Sequence, residues 1–307
     1  MKRTILIFFL LFTIFGKAQV NLNMGLVAYY PFNGNANDAS GNNRNGTLVN
    51  GTTFGLDRFG APNSSAKFDG VDDYVRIIDN GNAFYSPTLS IALWFYSESA
   101  NQQTIISKRD YTNSAGTGGH QYKMTINYDP IPGVISTLVG NNATCSNNPT
   151  PNFLNSQEFL CLNRWNCVII TFDGSRHKLY LNGVLKNDQA TPFNAFINCG
   201  SDIRIGNWWQ LDPQSFKGQI DDIRWYNRVL TNDEIALLGE NSTPCNQINC
   251  NNWLTTPSRP SSMNIGDVDV AGDQLTVEAL FNRTTPLNNN LYYGYLVSKH
   301  TNPTDAN

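Results

Sequence analysis

Trp165-Asn166-Cys167-Val168-Ile169-Ile170-Thr171-Phe172, the turn Asp173-Gly174, and then Lys178-Leu179-Tyr180-Leu181-Asn182-Gly183-Val184-Leu185 form the stretch on which the fold class turns. Polar and apolar residues alternate with the period of a strand rather than that of a helix. Asn182-Gly183 between two such runs is the strongest short hairpin signal, because both residues accept the positive φ of a type I′ turn. Working outward, Leu89 to Phe95 alternates in the same way. Asp202-Ile203-Arg204-Ile205 stops at Gly206, and Ile220 to Tyr226 forms a last strand. Short strands at this spacing, with Gly and Asn turns, predict an all-β chain folded as a two-sheet antiparallel jelly-roll β-sandwich. One helix is predicted near Leu230 to Gly239. Thr231 and Glu234 have capping-box spacing, and Gly239 is the expected stop.

Composition narrows the function classes. The 307 residues are 40% hydrophobic, enough for a packed core, and 15% charged, against roughly 25% in an average domain. A net charge of -3 and a pI near 5.6 leave no basic field for phosphate backbones, so no nucleic-acid partner is expected. The mean hydropathy of -0.33 argues against a polytopic membrane protein. Lys2 and Arg3 precede an apolar run from Ile5 to Phe15, then Gly16-Lys17-Ala18. That run falls short of the roughly 20 residues of a bilayer span, and it is read as a secretory signal over 1–18. The chain is expected to be secreted or displayed at a cell surface, and not membrane-spanning.

Export permits disulfides. Cys145, Cys161, Cys167, Cys199, Cys245 and Cys250 all follow the signal, and many connectivities are open to six cysteines. Taking cysteines in chain order, so that each bridge closes a local loop, the expected pairs are Cys145–Cys161, Cys167–Cys199 and Cys245–Cys250. Zinc is the competing reading. No close Cys pair recurs and the His residues are scattered, which disfavours it. The boundaries expected are a jelly-roll domain over 19–240, a linker over 241–252, and an incomplete second β domain over 253–307. Leu275 to Phe281 echoes Leu89 to Phe95, and Leu296-Val297-Ser298-Lys299 echoes Ile105-Ile106-Ser107-Lys108. The second copy stops before its closing strands, which suggests a piece of a longer polypeptide.

Several blocks, in order, resemble a laminin-G-like jelly-roll domain of the concanavalin A-like lectin/glucanase superfamily. They are Gly25 to Asp38 with Ser40-Gly41-Asn42, Phe68-Asp69-Gly70-Val71-Asp72-Asp73-Tyr74-Val75, Leu89 to Phe95, the Trp165 to Gly183 hairpin, and Phe216 to Tyr226 with its helical tail. The resemblance runs from about Gly25 to Gly239 and implies a structural Ca²⁺. Strict alternation puts Asp221 on one face with Ile223 and Trp225, where a carboxylate is costly unless paired or metal-bound. The resemblance makes Asp221 a calcium ligand, completed from the Asn- and Gly-rich loop around Asp38 to Gly46; pairing with an Arg is the alternative.

No catalytic pattern emerges. Glucanases on the resembling fold carry acids in an E-x-D-x-x-E run on one strand, which is missing here. Asp72-Asp73 and Asp221-Asp222 are adjacent pairs, and strand neighbours point to opposite faces. The chain is read as a binding module and not an enzyme, with a glycan or glycoprotein as partner. Trp208-Trp209, with Asn207 and Asp212, is the candidate sugar-contact loop, because stacking rings and amide or carboxylate side chains together suit sugars. The competing reading has one Trp in the core and the other over an edge. Trp94 and Trp165, in alternating strands, are expected in the core. Three roles fit: a carbohydrate-recognising adhesion module, a non-catalytic accessory region of an exported glycoside hydrolase, or a structural spacer.

Overall fold

The computed structural model describes residues 20–79, 83–99, 101–109, 120–126, 133–140, 152–160, 162–193, 201–208 and 214–240. The expected signal at 1–18, the linker at 241–252 and the second domain at 253–307 lie outside them. The first strands are β1 (Leu26–Tyr30), β2 (Gly46–Val49), β3 (Thr53–Gly55), β4 (Ser65–Asp69) and β5 (Tyr74–Ile77). Next come β6 (Leu89–Ser97), β7 (Gln103–Arg109), β8 (His120–Ile126), β9 (Val134–Val139) and β10 (Asn152–Phe159). The last are β11 (Trp165–Phe172), β12 (Arg176–Leu181), β13 (Val184–Ala190), β14 (Ile203–Ile205), β15 (Lys217–Tyr226) and the helix α1 (Asn232–Gly239).

The strands pair antiparallel into two sheets. The first runs β13-β12-β11-β6-β15-β4-β3, with β1 also paired to β15; the second runs β10-β9-β8-β7-β14-β5-β2. The chain is therefore an all-β sandwich of the jelly-roll kind. Alternation explains the packing: Leu89, Ile91, Leu93 and Phe95 of β6 point between the sheets, beside Val168, Ile170 and Phe172 of β11. The intervening Ala92 and Trp94 face outward into a second cluster with Cys167, Ile169 and Tyr180. Ile235 and Leu238 of α1 cap that cluster. Burying both faces of β6 makes it the structural axis of the first sheet.

Local signals behave as the chemistry requires. Asn182 and Gly183 have φ of 53° and 77°, as a type I′ turn demands. Thr231 accepts the Glu234 N–H and Glu234 accepts the Thr231 N–H, closing the capping box. α1 ends at Gly239, the expected stop, and the glycine has a second use there. A Cβ there would come within 2.6 Å of the Gly183 nitrogen, so the glycine lets the end of the helix lie on the β12–β13 turn.

Cys167 is a free, buried thiol whose Sγ donates to the Leu238 carbonyl at 3.5 Å. This corrects the expected Cys167–Cys199 bridge: mid-strand under the helix, the sulfur is enclosed by the second cluster. The other five cysteines lie outside the described residues.

Candidate functional site

The outer face of the first sheet carries a charged cluster that sequence reading did not assemble. The β6–β15 register breaks between Asp221 and Arg224, and Asp222 has φ of 50°. This β-bulge spoils strict alternation. Ile220, Ile223 and Trp225 stay between the sheets. Asp221 lies opposite Trp94 on the outer face, and one nitrogen of Arg58 reaches Asp222 Oδ2 at 2.5 Å and Asp221 Oδ2 at 3.5 Å. Asp221 does not share a face with Ile223 and Trp225, and the two acids do not point apart. The Arg58 guanidinium lies 4.7 Å from the Trp94 ring centre and 4.4 Å from that of Phe59. Tyr29 donates to Asp222 Oδ1 at 2.5 Å, and Arg224 lies 3.6 Å from the same oxygen, stacked 3.9 Å from the Tyr29 ring. Burial, reinforced by the Asp222 charge, pushes the Asp221 carboxyl up to about 8.

These residues do not fit a calcium ion. A guanidinium already holds the Asp221 and Asp222 side. The Asp38 oxygens accept the N–H groups of Tyr29, Ser40 and Arg44 at 2.9–3.0 Å. Burial would raise the Asp38 carboxyl, but those hydrogen bonds prevail and hold it low. Asp38 thus organises its loop from within. Asp69, Asp72 and Asp73 also gather their oxygens within 4.8 Å. There Asp73 accepts the Gly51 and Asp69 N–H groups and pins two turns together.

Beside the charged cluster, an open row crosses the first sheet. Successive registers place Thr53 opposite Lys67, Lys67 opposite Gln219, Gln219 opposite Tyr96, and Tyr96 opposite Trp165. Thr53 and Lys67 are exposed, and the other three are half-buried. At about 4.8 Å per strand the row spans roughly 19 Å. The Tyr96 and Trp165 rings are 5.9 Å apart and tilted by 60°. Gln219 Oε1 accepts from Ser65 Oγ at 3.0 Å, and a side chain at Gly55 would overlap that oxygen, so the amide is held in place. Trp165, expected in the core, is half-buried and packs against the edge of the outer cluster. Trp94 is buried, but on the outer face of the sheet rather than between the sheets.

The loop after β14 holds the two described members of the expected sugar-contact set. Asn207 is buried, its Nδ2 donating to Ser215 Oγ at 3.1 Å and its carbonyl accepting from Ser107, so it ties loop to sheet. Trp208 is half-buried, with the Lys123 ammonium 4.3 Å from its ring centre. That ammonium also donates to Gln214 Oε1 at 3.2 Å. Trp209 and Asp212 lie outside the described residues.

The family model described as "Concanavalin A-like lectin/glucanases superfamily" matches residues 69–236. The chain belongs to the concanavalin A-like lectin/glucanases superfamily. Solved structures share the superfamily fold at low identity. Domain 4 of AbnA, a GH43 extracellular arabinanase from Geobacillus stearothermophilus, in complex with arabinotriose, is 20% identical with a TM-score of 0.53, covering 70% of this chain and 98% of that one. The receptor binding domain of botulinum neurotoxin mosaic serotype C/D is 21% identical with a TM-score of 0.54, covering 72% of this chain and 51% of that one. The binding domain of Paraclostridial Mosquitocidal Protein 1 is 15% identical with a TM-score of 0.55, covering 71% and 52% respectively. The chain thus spans about half the length of the two toxin binding domains. No curated protein matches by sequence. Among the described residues of this superfamily member, no helix is long and apolar enough to cross a membrane.

Proposed function

We propose that the chain is a secreted or cell-surface binding module that recognises carbohydrate, free or on a glycoprotein, and catalyses nothing. The observation that carries this reading is the open row Thr53–Lys67–Gln219–Tyr96–Trp165. Two tilted rings offer stacking surface for the C–H faces of sugars, and a fixed amide, a hydroxyl and an ammonium offer partners for their hydroxyls. Its length of roughly 19 Å suits a short run of linked sugars rather than a single ring. The adjacent acids support no glycosidic cleavage: Asp222 is engaged by Arg58 and Tyr29, and the Asp221 side chain is only 5% exposed.

A role as the accessory region of an exported glycoside hydrolase is the second reading. It is favoured by the shared fold of the arabinanase domain, nearly all of which the chain covers. Affinity electrophoresis through gels containing arabinan, xylan, glucan or mucin tests the site. Trp165→Ala should abolish the retardation seen with the native chain, a loss of about tenfold or more in affinity, while Trp208→Ala retains it. Equal retardation of both variants and the native chain would overturn the assignment to this row. Loss confined to Trp208→Ala would move the site to the loop after β14.

A further inference from the structure

The second sheet buries a lysine and an aspartate that the binding reading does not use. Lys108 lies opposite Ile203 on one side and Tyr122 on the other, and Ile203 lies opposite Ile77. This row faces the core, since Ile77, Tyr122 and Ile203 all belong to the cluster between the sheets. Lys108 Nζ lies 2.6 Å from Asp79 Oδ2, and both side chains are 0% exposed. Nζ also donates to the Ser201 carbonyl at 2.5 Å. The other Asp79 oxygen accepts the Phe84 N–H at 3.4 Å. Each partner is thus held from its far side, with the amine against the carboxyl.

We propose that Lys108 and Asp79 join in an intramolecular amide between Nζ and Cγ, a covalent staple across the second sheet. The ammonium first passes a proton to Asp79 Oδ2, leaving a neutral amine and a carboxylic acid. The Nζ lone pair adds to Cγ, the Cγ–O bond breaks, and the hydroxyl leaves with a second Nζ proton as water. One ammonium and one carboxylate become one secondary amide and one water, with no oxidant or cofactor needed. Four features favour the step. A buried ion pair loses the solvation that makes charge separation favourable in water, so proton transfer within the pair costs less. Burial, against the pull of Asp79 and of Asp202, lowers the Lys108 pKa and so favours the free amine. The reacting groups are fixed at contact, which removes most of the entropic barrier to amide formation. The Phe84 N–H stands beside the oxygen on which negative charge grows. The amide would tie the end of β5 to β7 across β14, clamping three strands of one sheet.

Peptide mapping of the full chain, denatured and reduced, decides it. Trypsin cuts after Arg76 and, in an unlinked chain, after Lys108. The linked chain gives instead a peptide running from residue 77 to residue 109, lighter than its sequence by one water. A second cut after Glu98 should leave its two halves joined through Lys108 and Asp79. In Lys108→Arg the mass deficit should vanish. Cleavage after Lys108 with the full sequence mass would overturn the proposal. So would a deficit that persists in Lys108→Arg, which would place it in a backbone imide at Asp79. The wild-type peptide decides the matter even if the variant does not fold.

Discussion

Replacing Asp221 with Asn removes one ionisable group from the most strongly perturbed carboxylate among the described residues. In the unfolded chain an Asp titrates near 3.9. In the fold, burial and then the charge of Asp222 push it up to about 8. Between those two values the folded chain holds a proton that the unfolded chain has released. Stability is therefore lost as pH rises from about 4 to about 8, and is level beyond that. At about 1.4 kcal/mol per tenfold change, the whole window is on the order of 5 kcal/mol. Asn imitates the protonated acid at every pH and has no such slope. Arg58 is not stranded in the variant, because Asp222 still holds it at 2.5 Å. Urea unfolding of the native chain and of Asp221→Asn at pH 5, 6.5 and 8 isolates the effect, since every other titrating group is common to both. The stability gap in favour of Asn should widen with each step, by several kcal/mol in all. A gap that stays constant or narrows would refute the reasoning from burial and like charge.

Other outcomes follow from single residues. His177 is buried between the sheets, sharing hydrogen bonds with Thr137 and Asn152, and burial pushes its pKa down to about 3. The unfolded chain then binds the extra proton between about 3 and 6.5, so stability falls as pH drops through that range; His177→Gln should flatten the slope in urea unfolding between pH 4 and 7. Thr231→Ala should cost about 1 kcal/mol by stripping the cap from α1, with Thr231→Ser near wild type in thermal melts. Because the Asp221 and Asp38 donor sets are already engaged, EDTA should leave the melting temperature unchanged; a fall would reinstate a calcium site.

The hairpin and the helix cap were legible because each depends on residues close in the chain. Asn182-Gly183 can adopt its turn almost anywhere, and Thr231 and Glu234 sit one helical turn apart. The face of Asp221 was not legible, because alternation assumes one residue per pleat and the bulge at Asp222 inserts an extra one. Two adjacent acids inside an apolar strand were the only sign of that break. The open row escaped for a different reason. Tyr96 and Trp165 lie far apart in sequence, and only the β6–β11 register sets them side by side. The same holds for Lys108 on β7 and Asp79 just past the end of β5, which only the pairing of β5 and β7 with β14 brings together. Trp208, expected as a sugar contact, is half-buried beside Lys123, which comes from β8 and carried no local signal.

Hydrogen exchange with and without the polysaccharide that retards the chain tests the binding face most directly. Ligand should slow exchange in β6 around Tyr96, in β11 around Trp165 and in β15 around Gln219, leaving the β14 loop at Trp208 unchanged. Protection confined to that loop, or none at saturating ligand, would contradict a sugar-reading row across the first sheet.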